Sequence, residues 1–503
     1  MTAPHRDLSH RDAPDPVRAR TLEALTADTA APWVVDPSAL AIEVAAGRRL
    51  VVLDDDPTGT QTIADLPVLT RWSVEDLRWA LQQPTSAFFV LTNTRSLSAA
   101  DAASVNREIV RALAEAAALE EVDYVIASRG DSTLRGHYPL ETDVLAEELA
   151  GRQRTVDGVI IVPAYIEPGR VTIDSVHWMR AGAVMVPVGD SEFARDASFG
   201  YHHSDLRDWV QEMTSGRFPS AQVLAITLAD LRDGGPERVR QMVSSLADGR
   251  PAVVDAVVDD DLRVLAAGLL LAEADGRTFL YRTGPSFVRA RSGQVATPPL
   301  SPGRLREILR AGDDAGNSRR VSHRGIVVVG SHVGLTSRQL DHLRGRGRIV
   351  ELELDVPTLL DPARRDAHIA EITAQGVDLL CRDGAADDVV IRTSRTLVAG
   401  TDAHDSLVIA RTVSAALLAT VRDVVAAVRP SFVVAKGGIT SSDTATEGLS
   451  IRRAWARGTL LPGIVSLWEP VSGPAQGIPY VVFAGNVGDD DALADVVETL
   501  RGL

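Results

Sequence analysis

Three consecutive aspartates, Asp54-Asp55-Asp56, stand between a short apolar run and a Pro-Thr-Gly turn. The apolar run, residues 51–53, is too short for a helix and predicts a buried strand that ends at the turn. Adjacent carboxylates repel one another, so a fold that gathers them at a strand end commonly uses them on a metal, a proton or a hydroxyl. An acidic turn that only caps the next element is the plainer alternative.

The same arrangement, an apolar run followed by polar residues, recurs along the first half of the chain. Predicted strands at 87–91, 124–127 and 158–162 each lead directly into a polar segment. Helical patterns separate several of these runs, which is typical of a parallel sheet, and the carboxyl ends of parallel strands lie along one edge. We therefore expect five charged residues to converge on one crevice: Asp55, Asp56, Arg95, Asp131 and Arg135.

In the second half of the chain the loops after the predicted strands are rich in glycine, serine and threonine. Three of them stand out: Gly330-Ser331-x-x-Gly334, Lys436-Gly437-Gly438-Ile439-Thr440 and Gly485-Asn486-x-Gly488. Glycine lets backbone N–H groups wrap phosphate oxygens, and a helix that begins after such a loop favours an anion. Lys436 is the only lysine in the sequence, and a compact ammonium is not interchangeable with a guanidinium. No Walker or Gly-x-Gly-x-x-Gly motif is present, so these loops predict polyphosphate binding of another kind.

Strands that alternate with helices in both halves predict an α/β protein of two domains, each a mostly parallel sheet flanked by helices. We expect an N-terminal arm and helix at residues 1–45, a substrate domain at 46–297, a Pro- and Gly-containing linker at 298–322 and a nucleotide domain at 323–503. A cleft between two such domains is the usual place for a substrate and a cofactor to meet, and we expect the active site there.

The bulk composition excludes several classes of protein. A net charge of −16 argues against nucleic acid as a partner, because its phosphates demand a basic surface. The single cysteine, Cys381, excludes an internal disulfide, and no apolar run is long enough to span a membrane. The polar N-terminus lacks the apolar core of a secretory signal. We expect a cytoplasmic protein that acts on small molecules, with a homodimer left open.

The motifs together resemble the four-carbon acid sugar kinases. Residues 55–59 are similar to the family's Asp-Asp-x-Thr-Gly element, and residues 131–136 match its Asp-Ser-Thr-Leu-Arg-Gly element throughout. The loops at 437–440 and 485–488 are similar to its nucleotide loops. The resemblance spans about 48–500 and implies phosphorylation of a tetronate or 3-oxo-tetronate by ATP, with Mg²⁺ on the phosphates. The chain departs from the family at Ser128 and Arg129, where two lysines are common.

The resemblance also implies roles for individual residues. Asp55 and Asp56 would hold or deprotonate the acceptor hydroxyl, while Arg95 and Arg135 would pair with the substrate carboxylate. Arg129, Asp131 and Ser132 would complete the substrate site, the last two by binding hydroxyls. Lys436 would act near the phosphates as a catalytic group. The residues expected to bind ATP are Ser331, Lys436, Gly437, Gly438, Ile439, Thr440, Gly485, Asn486 and Gly488.

Two other functions remain as alternatives. Asp54 to Thr58 also fits the Asp-x-Asp-x-Thr motif of haloacid-dehalogenase-type phosphatases, with Asp54 as nucleophile and Asp56 as acid and base. Thr92, Lys436 and the pair Asp489-Asp490 would then be the partners, although the last three lie beyond the expected linker. The other alternative is a sensor that binds a sugar acid without catalysis.

Overall fold

The computed structural model describes residues 19–313, 320–331, 333–382, 387–395, 398 and 403–502. The first 18 residues of the expected N-terminal arm, part of the expected linker, and His332 in the first glycine loop lie outside the described residues. The chain forms two compact units: unit 1 comprises Met1–Gly47 and Val125–Gly293, and unit 2 comprises Arg48–Tyr124 and Gln294–Leu503.

The described helices are α1 Leu22–Thr26, α2 Pro37–Ala46, α3 Val74–Leu81, α4 Ala99–Glu120, α5 Leu140–Ala150, α6 Leu206–Met213, α7 Leu228–Arg232, α8 Gly235–Val243, α9 Asp259–Ala274, α10 Pro285–Arg291, α11 Pro302–Asp313, α12 Gly334–Gly345, α13 Val356–Leu360, α14 Arg365–Cys381, α15 Ala403–Ala427, α16 Gly438–Asp443 and α17 Ala492–Arg501. The described strands are β1 Arg49–Asp54, β2 Leu66–Leu69, β3 Ala87–Leu91, β4 Tyr124–Arg129, β5 Gly158–Val162, β6 Arg170–Ile173, β7 Val176–Ala181, β8 Val184–Pro187, β9 Leu224–Ile226, β10 Arg250–Val254, β11 Phe279–Thr283, β12 Arg320–Val321, β13 Ile326–Val329, β14 Ile349–Leu354, β15 Asp388–Thr393, β16 Val428–Arg429, β17 Val433–Lys436, β18 Arg453–Leu461, β19 Val465–Pro470 and β20 Tyr480–Phe483.

Unit 1 is built on a parallel sheet whose strands follow the order β4-β11-β5-β10-β9. The five residues of β5, Gly-Val-Ile-Ile-Val, are all buried, as expected for a strand covered on both faces. A second, antiparallel sheet of β6, β7 and β8 belongs to the same unit. This small sheet carries His177, a buried residue of β7.

Unit 2 contains a mixed sheet in the order β14-β15-β13-β17-β20-β19-β18-β2-β3-β1. Parallel pairing joins β14 through β20 and, separately, β2, β3 and β1, whereas β18 and β19 pair antiparallel with each other and with their neighbours β2 and β20. Because β18 pairs with β2, residues 48–124 pack with the C-terminal part of the chain. The compact units differ from the expected domains in the placement of residues 48–124, which were expected in the substrate domain and belong to unit 2.

The fold class is confirmed: both units are α/β, with mostly parallel pairing and flanking helices. The runs expected at 87–91 and 158–162 are strands with those bounds. The antiparallel strands were not expected from the sequence, because their pairing depends on distant partners. Within the expected linker the chain forms α11, whose Leu305 and Ile308 are buried in the core of unit 2. Among the described helices, none is both long enough and apolar enough to cross a membrane.

Candidate functional site

The acidic loop after β1 is held by its own side chains. Asp56 ends an extended segment, and its Oδ1 accepts a hydrogen bond from the Thr58 N–H at 2.7 Å, which begins a tight 3₁₀ turn at Pro57. Pro57 suits this first position because its fixed φ is compatible with the turn and its missing N–H is not needed. The Asp54 carboxylate is buried against Gly59, where a Cβ would lie 2.1 Å from Oδ2. A Cβ at this position would collide with the carboxylate, so the turn folds tightly over β1.

Arg95 brings the loop after β3 to these carboxylates. Its Nη2 lies 2.5 Å from Asp55 Oδ1, its Nε 3.1 Å from Asp55 Oδ2, and its Nη1 3.1 Å from Asp56 Oδ2. The chain can turn here because Asn93 adopts the left-handed conformation, with φ +54°. One guanidinium therefore neutralises two adjacent carboxylates, which offsets the repulsion that the sequence indicated. Asp55, Asp56 and Arg95 therefore lie together in unit 2, whereas Asp131 and Arg135, which were expected in the same crevice, belong to unit 1.

A small cavity of about 140 Å³ opens beside this cluster in unit 2. It is bounded by the acidic loop, the loop after β3 and the start of α16. Its lining residues are Asp55, Asp56, Pro57, Asn93, Arg95, Ser96, Gly438, Ile439, Ser442 and Asp443. The carboxylates thus face the second glycine loop.

The three glycine-containing loops of unit 2 meet at very short range. A Cβ at Gly330 would lie 2.6 Å from Thr440 Oγ1, and one at Gly437 would lie 3.0 Å from Ser331 Cβ. A Cβ at Gly485 would lie 3.1 Å from Ser331 Oγ. Gly437 also has φ +122° and ψ 140°, a conformation that is essentially restricted to glycine. The glycines therefore let three backbone segments approach one another, as a phosphate-binding site requires.

A second cavity, of about 640 Å³, opens on these loops and has the size of a small-molecule site. Most of the predicted nucleotide residues line it: Ser331, Gly437, Gly438, Ile439, Thr440, Gly485 and Asn486. The apolar part of the lining comes largely from α15, through Ile409, Ala410, Val413, Leu417 and Leu418. Asp56 lines this cavity as well as the small one. The lining of this cavity is therefore polar on the loops and apolar on α15.

Lys436 and Gly488 do not line either of these two cavities. The Lys436 side chain is fully buried, and its Nζ donates to the Ala484 carbonyl at 2.7 Å and lies 3.7 Å from the centre of the Phe483 ring. Burial lowers the pKa of this ammonium to about 7. Gly488 has φ +80° and packs on α17, where a Cβ would lie 2.5 Å from Ala492 Cβ. In this structure both residues support the loop at 484–488 from beneath.

Several residues that border the site were not predicted. Asp443 lines the small cavity, and burial, reinforced by the nearby Glu447, raises the pKa of its carboxyl group to about 6. Arg395 donates to the Ser331 carbonyl and to the Ser337 hydroxyl, and so holds the first glycine loop. Asp443 directly follows the Lys-Gly-Gly-Ile-Thr-Ser-Ser motif, so its position next to that motif in the sequence could have identified it as a site residue. The apolar face of α15 carried no such signal, because the sequence does not show which face of a helix lines a cavity.

In unit 1 the Asp-Ser-Thr-Leu-Arg-Gly segment forms a tight loop after β4. Asp131 Oδ2 accepts hydrogen bonds from Arg135 Nε, at 2.7 Å, and from the Thr133 hydroxyl. Leu134, with φ +69°, and Gly136, with φ +121°, bend the chain back. Arg129 is buried at the end of β4 and Ser132 is buried in the loop. The substrate residues expected at 129–135 therefore form one cluster within unit 1.

Buried polar side chains fix this loop from below. His177 is fully buried, its Nε2 lies 2.8 Å from the Ser132 carbonyl and its Nδ1 lies 2.9 Å from Thr172 Oγ1. Burial lowers the pKa of this imidazole to about 4, so it is neutral at pH 7. Because a carbonyl only accepts, Nε2 carries the proton and Nδ1 accepts from Thr172. The Tyr201 hydroxyl donates to the Thr133 carbonyl at 2.7 Å, and burial raises its pKa.

Two curated proteins resemble the chain over long stretches. It is 27% identical over 469 residues to the D-threonate kinase of Bordetella bronchiseptica, covering 90% of this chain and 98% of the relative. It is 24% identical over 341 residues to the D-erythronate kinase of Heliobacterium modesticaldum, covering 66% of this chain and 68% of the relative. The crystal structure of the Haemophilus influenzae protein HI1011, of the DUF1537 family, shares the fold with a TM-score of 0.58 at 19% identity, over 90% of this chain and 99% of that one.

Family models match both halves of the chain. A sugar-binding N-terminal domain matches residues 50–291, and a nucleotide-binding C-terminal domain matches residues 326–493. The two matches follow each other in the order that the motifs indicated, and together they cover most of the chain. The chain therefore belongs to the four-carbon acid sugar kinase family.

Proposed function

We propose that the protein is an ATP-dependent kinase that phosphorylates a hydroxyl of a four-carbon sugar acid, a tetronate or a 3-oxo-tetronate. The observation that carries this proposal is the position of Asp56. Its carboxylate lines both cavities of unit 2, and Oδ2 lies 3.8 Å from the point where a Cβ at Gly438 would be. A carboxylate at the edge of a phosphate-binding loop is well placed to orient or deprotonate an acceptor hydroxyl.

In the proposed reaction, Asp56 accepts the proton of the acceptor hydroxyl while that oxygen attacks the γ-phosphorus of ATP. The bond from the γ-phosphorus to the bridging oxygen breaks, and ADP leaves with the electron pair. Arg95 holds Asp55 with two hydrogen bonds and Asp56 with one, so that Asp56 keeps its orientation. The amides of the loops at 330–331, 437–440 and 485–486 cradle the phosphates. Lys436 acts from beneath, through the Ala484 carbonyl, as a positioning residue.

Mg²⁺ fits this arrangement as an ion shared between protein and nucleotide. Among the described residues, no three His, Cys, Asp or Glu side chains are arranged to hold a metal by themselves. Mg²⁺ in kinases is commonly held by one or two carboxylates together with phosphate oxygens and water. Asp443, which lines the small cavity, is the carboxylate that would hold it. When bound, the ion would neutralise charge on the phosphates.

The family membership favours the kinase over the two alternatives. One sequence argument against the phosphatase does not hold, because Asp54 and Lys436 belong to the same compact unit. The position of Asp54 provides another argument: its carboxylate is packed against Gly59, and it lines neither of the two cavities described above. A phosphatase nucleophile has to be reachable by a phosphate group.

The test is an ADP-release assay with Mg-ATP against D-threonate, D-erythronate and their 3-oxo forms. We expect turnover with one of these acids and a fall in kcat of roughly 10²- to 10⁴-fold in Asp56→Asn, since that is the usual contribution of a general base. Asp65→Asn is the matched control, because Asp65 lies in the same unit, pairs with Arg457 at 2.8 Å, and has a φ of +50° that asparagine tolerates.

Three results would contradict the proposal. An Asp56→Asn enzyme within a few-fold of wild-type kcat would remove the base. Phosphate release from phosphorylated acids without ATP would favour the phosphatase. Tight binding of an acid without any ADP release would favour the sensor. We also expect self-association as a homodimer, which light scattering of the full chain would test.

A further inference from the structure

The 3₁₀ turn Pro57–Thr62, which directly follows Asp56, is anchored from beneath by a buried hydroxyl. Thr60 Oγ1 lies 2.9 Å from Trp468 Nε1 and 3.0 Å from Ser466 Oγ, and all three side chains are fully buried. Because an indole N–H can only donate, Thr60 accepts a hydrogen bond from Trp468 and donates its own proton to Ser466. The hydroxyl of Thr60 therefore has two partners on β19.

Two glutamines fix the same segment to the hairpin of β18 and β19 and to the start of the C-terminal part of unit 2. Gln61 Nε2 donates to the Ile464 carbonyl, between β18 and β19, at 2.7 Å. The Gln294 side chain accepts from the Ala64 N–H at 3.0 Å and donates to the Ala64 carbonyl at 2.6 Å. The antiparallel strands thus set the position of the 3₁₀ turn.

Trp468 also connects the 3₁₀ turn with the second glycine loop. It stands opposite Tyr480 in the antiparallel pair of β19 and β20, with the two ring centres 6.1 Å apart. The fully buried Tyr480 hydroxyl donates to the Ser441 carbonyl in α16, the helix that begins at Gly438. A buried chain, Thr60–Trp468–Tyr480–Ser441, therefore joins the 3₁₀ turn to α16.

The two ends of this chain support the two sides of the proposed catalytic site. The 3₁₀ turn packs directly against α16. Above this contact, Asp56 and Gly438 both line the large and the small cavity. Phosphoryl transfer requires the base and the phosphate loop to keep their separation closely, because a displacement of about 1 Å can cost roughly 10²-fold in rate. The buried chain is a contact that can maintain this separation.

We propose that the chain Thr60–Trp468–Tyr480–Ser441 holds Asp56 at a fixed distance from the second glycine loop, so that it supports kcat rather than nucleotide binding. The inference rests on the proposed function, in which Asp56 is the base. Thr60 and Tyr480 line neither cavity, so they act as positioning residues and do not contact the substrates. All four members belong to unit 2.

The test compares Thr60→Val, which removes the hydroxyl, with Thr60→Ser, which keeps it. Tyr480→Phe breaks the other end of the chain, and a double variant combines Thr60→Val with Tyr480→Phe. Thr70→Val is the matched control, because Thr70 is a buried threonine of unit 2 that lines neither cavity and donates to the Ile451 carbonyl. Each full-length variant is measured by ADP release at varied ATP, by denaturant unfolding and by hydrogen exchange without ligands.

We expect Thr60→Val and Tyr480→Phe each to lower kcat roughly 10- to 100-fold with KM for ATP within twofold of wild type. Thr60→Ser should recover most of kcat. The double variant should fall little below the lower single variant, because residues that act as a unit are not additive. Thr70→Val should lose a similar amount of stability and keep its kcat. If Thr60→Val does not fold, Tyr480→Phe provides the same comparison.

Hydrogen exchange measures the connection without reference to activity. Thr60→Val and Tyr480→Phe should each speed exchange in both segments, 57–62 and 438–443, whereas Thr70→Val should speed it in neither. Changes confined to the segment next to each substitution would overturn the proposal, because the two segments would then be independent.

Three kinetic results would also overturn the proposal: a kcat within twofold of wild type in both single variants, an equal loss of kcat in Thr70→Val, or a rise in KM for ATP at unchanged kcat. A wild-type enzyme that releases no ADP with any of the acids would refute the kinase instead. Hydrogen exchange would still decide whether the chain joins the two segments, so the two failures are distinguishable.

Discussion

Replacing Gly437 with alanine tests whether the junction of the three glycine loops is the nucleotide site. The backbone at this residue has φ +122° and ψ 140°, where an L-residue is strained by roughly 1–3 kcal/mol. The new Cβ would also lie 3.0 Å from both Ser331 Cβ and Thr440 Oγ1, so the loops would have to move apart by a few tenths of an ångström. Both neighbours line the large cavity, so the change reaches the predicted phosphate position directly.

The magnitude follows from how the strain is released. If the loop relaxes in the free enzyme, ATP must restore the strained geometry on binding, and roughly 1–3 kcal/mol becomes about a 5- to 150-fold rise in KM for ATP. If the loop cannot relax, the same free energy is lost from the free energy of unfolding instead. The sum of the two losses should therefore be roughly 1–3 kcal/mol.

The assay combines ADP release at varied ATP with denaturant unfolding. Gly347→Ala is the control, because Gly347 lies in the same unit, has φ +70°, and would have nothing within 4 Å of a new Cβ. We expect the control to lose roughly 1 kcal/mol of stability and to keep its KM for ATP. A Gly437→Ala enzyme with unchanged stability and a KM for ATP within twofold of wild type would refute the reasoning.

Two further predictions concern the apolar wall and the buried histidine. Val413→Gln should raise KM for ATP roughly 5- to 30-fold and leave KM for the acid unchanged, because an amide would face the apolar lining of the large cavity. Val408→Gln, on the exposed side of α15, should leave both constants unchanged. Equal effects of the two changes on KM for ATP would contradict the assignment. The second prediction is a pH effect: His177 has a folded pKa of about 4 against an ordinary value of 6.5, so the unfolded chain binds the extra proton first. Stability should fall by about 3 kcal/mol as the pH drops from 6.5 to 4, and His177→Gln should remove that part of the pH dependence of denaturant unfolding. An identical pH profile in the variant would show that the histidine does not titrate as described.

Much of the architecture could be predicted because its signals are local. Runs of buried β-branched residues such as those at 158–162 specify a strand almost independently of what packs on it. The glycine loops were recognisable for a similar reason, since the backbone conformation at Gly437 is one that other residues avoid. The Asp-Ser-Thr-Leu-Arg-Gly segment could be located from its residue types alone.

The grouping of the two halves could not be predicted in the same way. The acidic loop after β1 and the glycine loops belong to one compact unit because β18 pairs with β2, and those strands are more than 380 residues apart along the chain. Antiparallel pairing of distant strands leaves no periodic trace that names the partner. The sequence predicted that the acidic loop after β1 and the glycine loops belong to separate domains, whereas in the structure both belong to unit 2.

The sequence by itself determined which residue types are available at the strand ends: carboxylates and arginines in one half, glycines and one lysine in the other. Only the tertiary structure decided what each charge meets. Lys436 is buried beneath its loop, and Arg95 is engaged by Asp55 and Asp56. The physical reason is that loop conformation depends on neighbours along the chain, whereas burial and charge pairing depend on groups that only folding brings together.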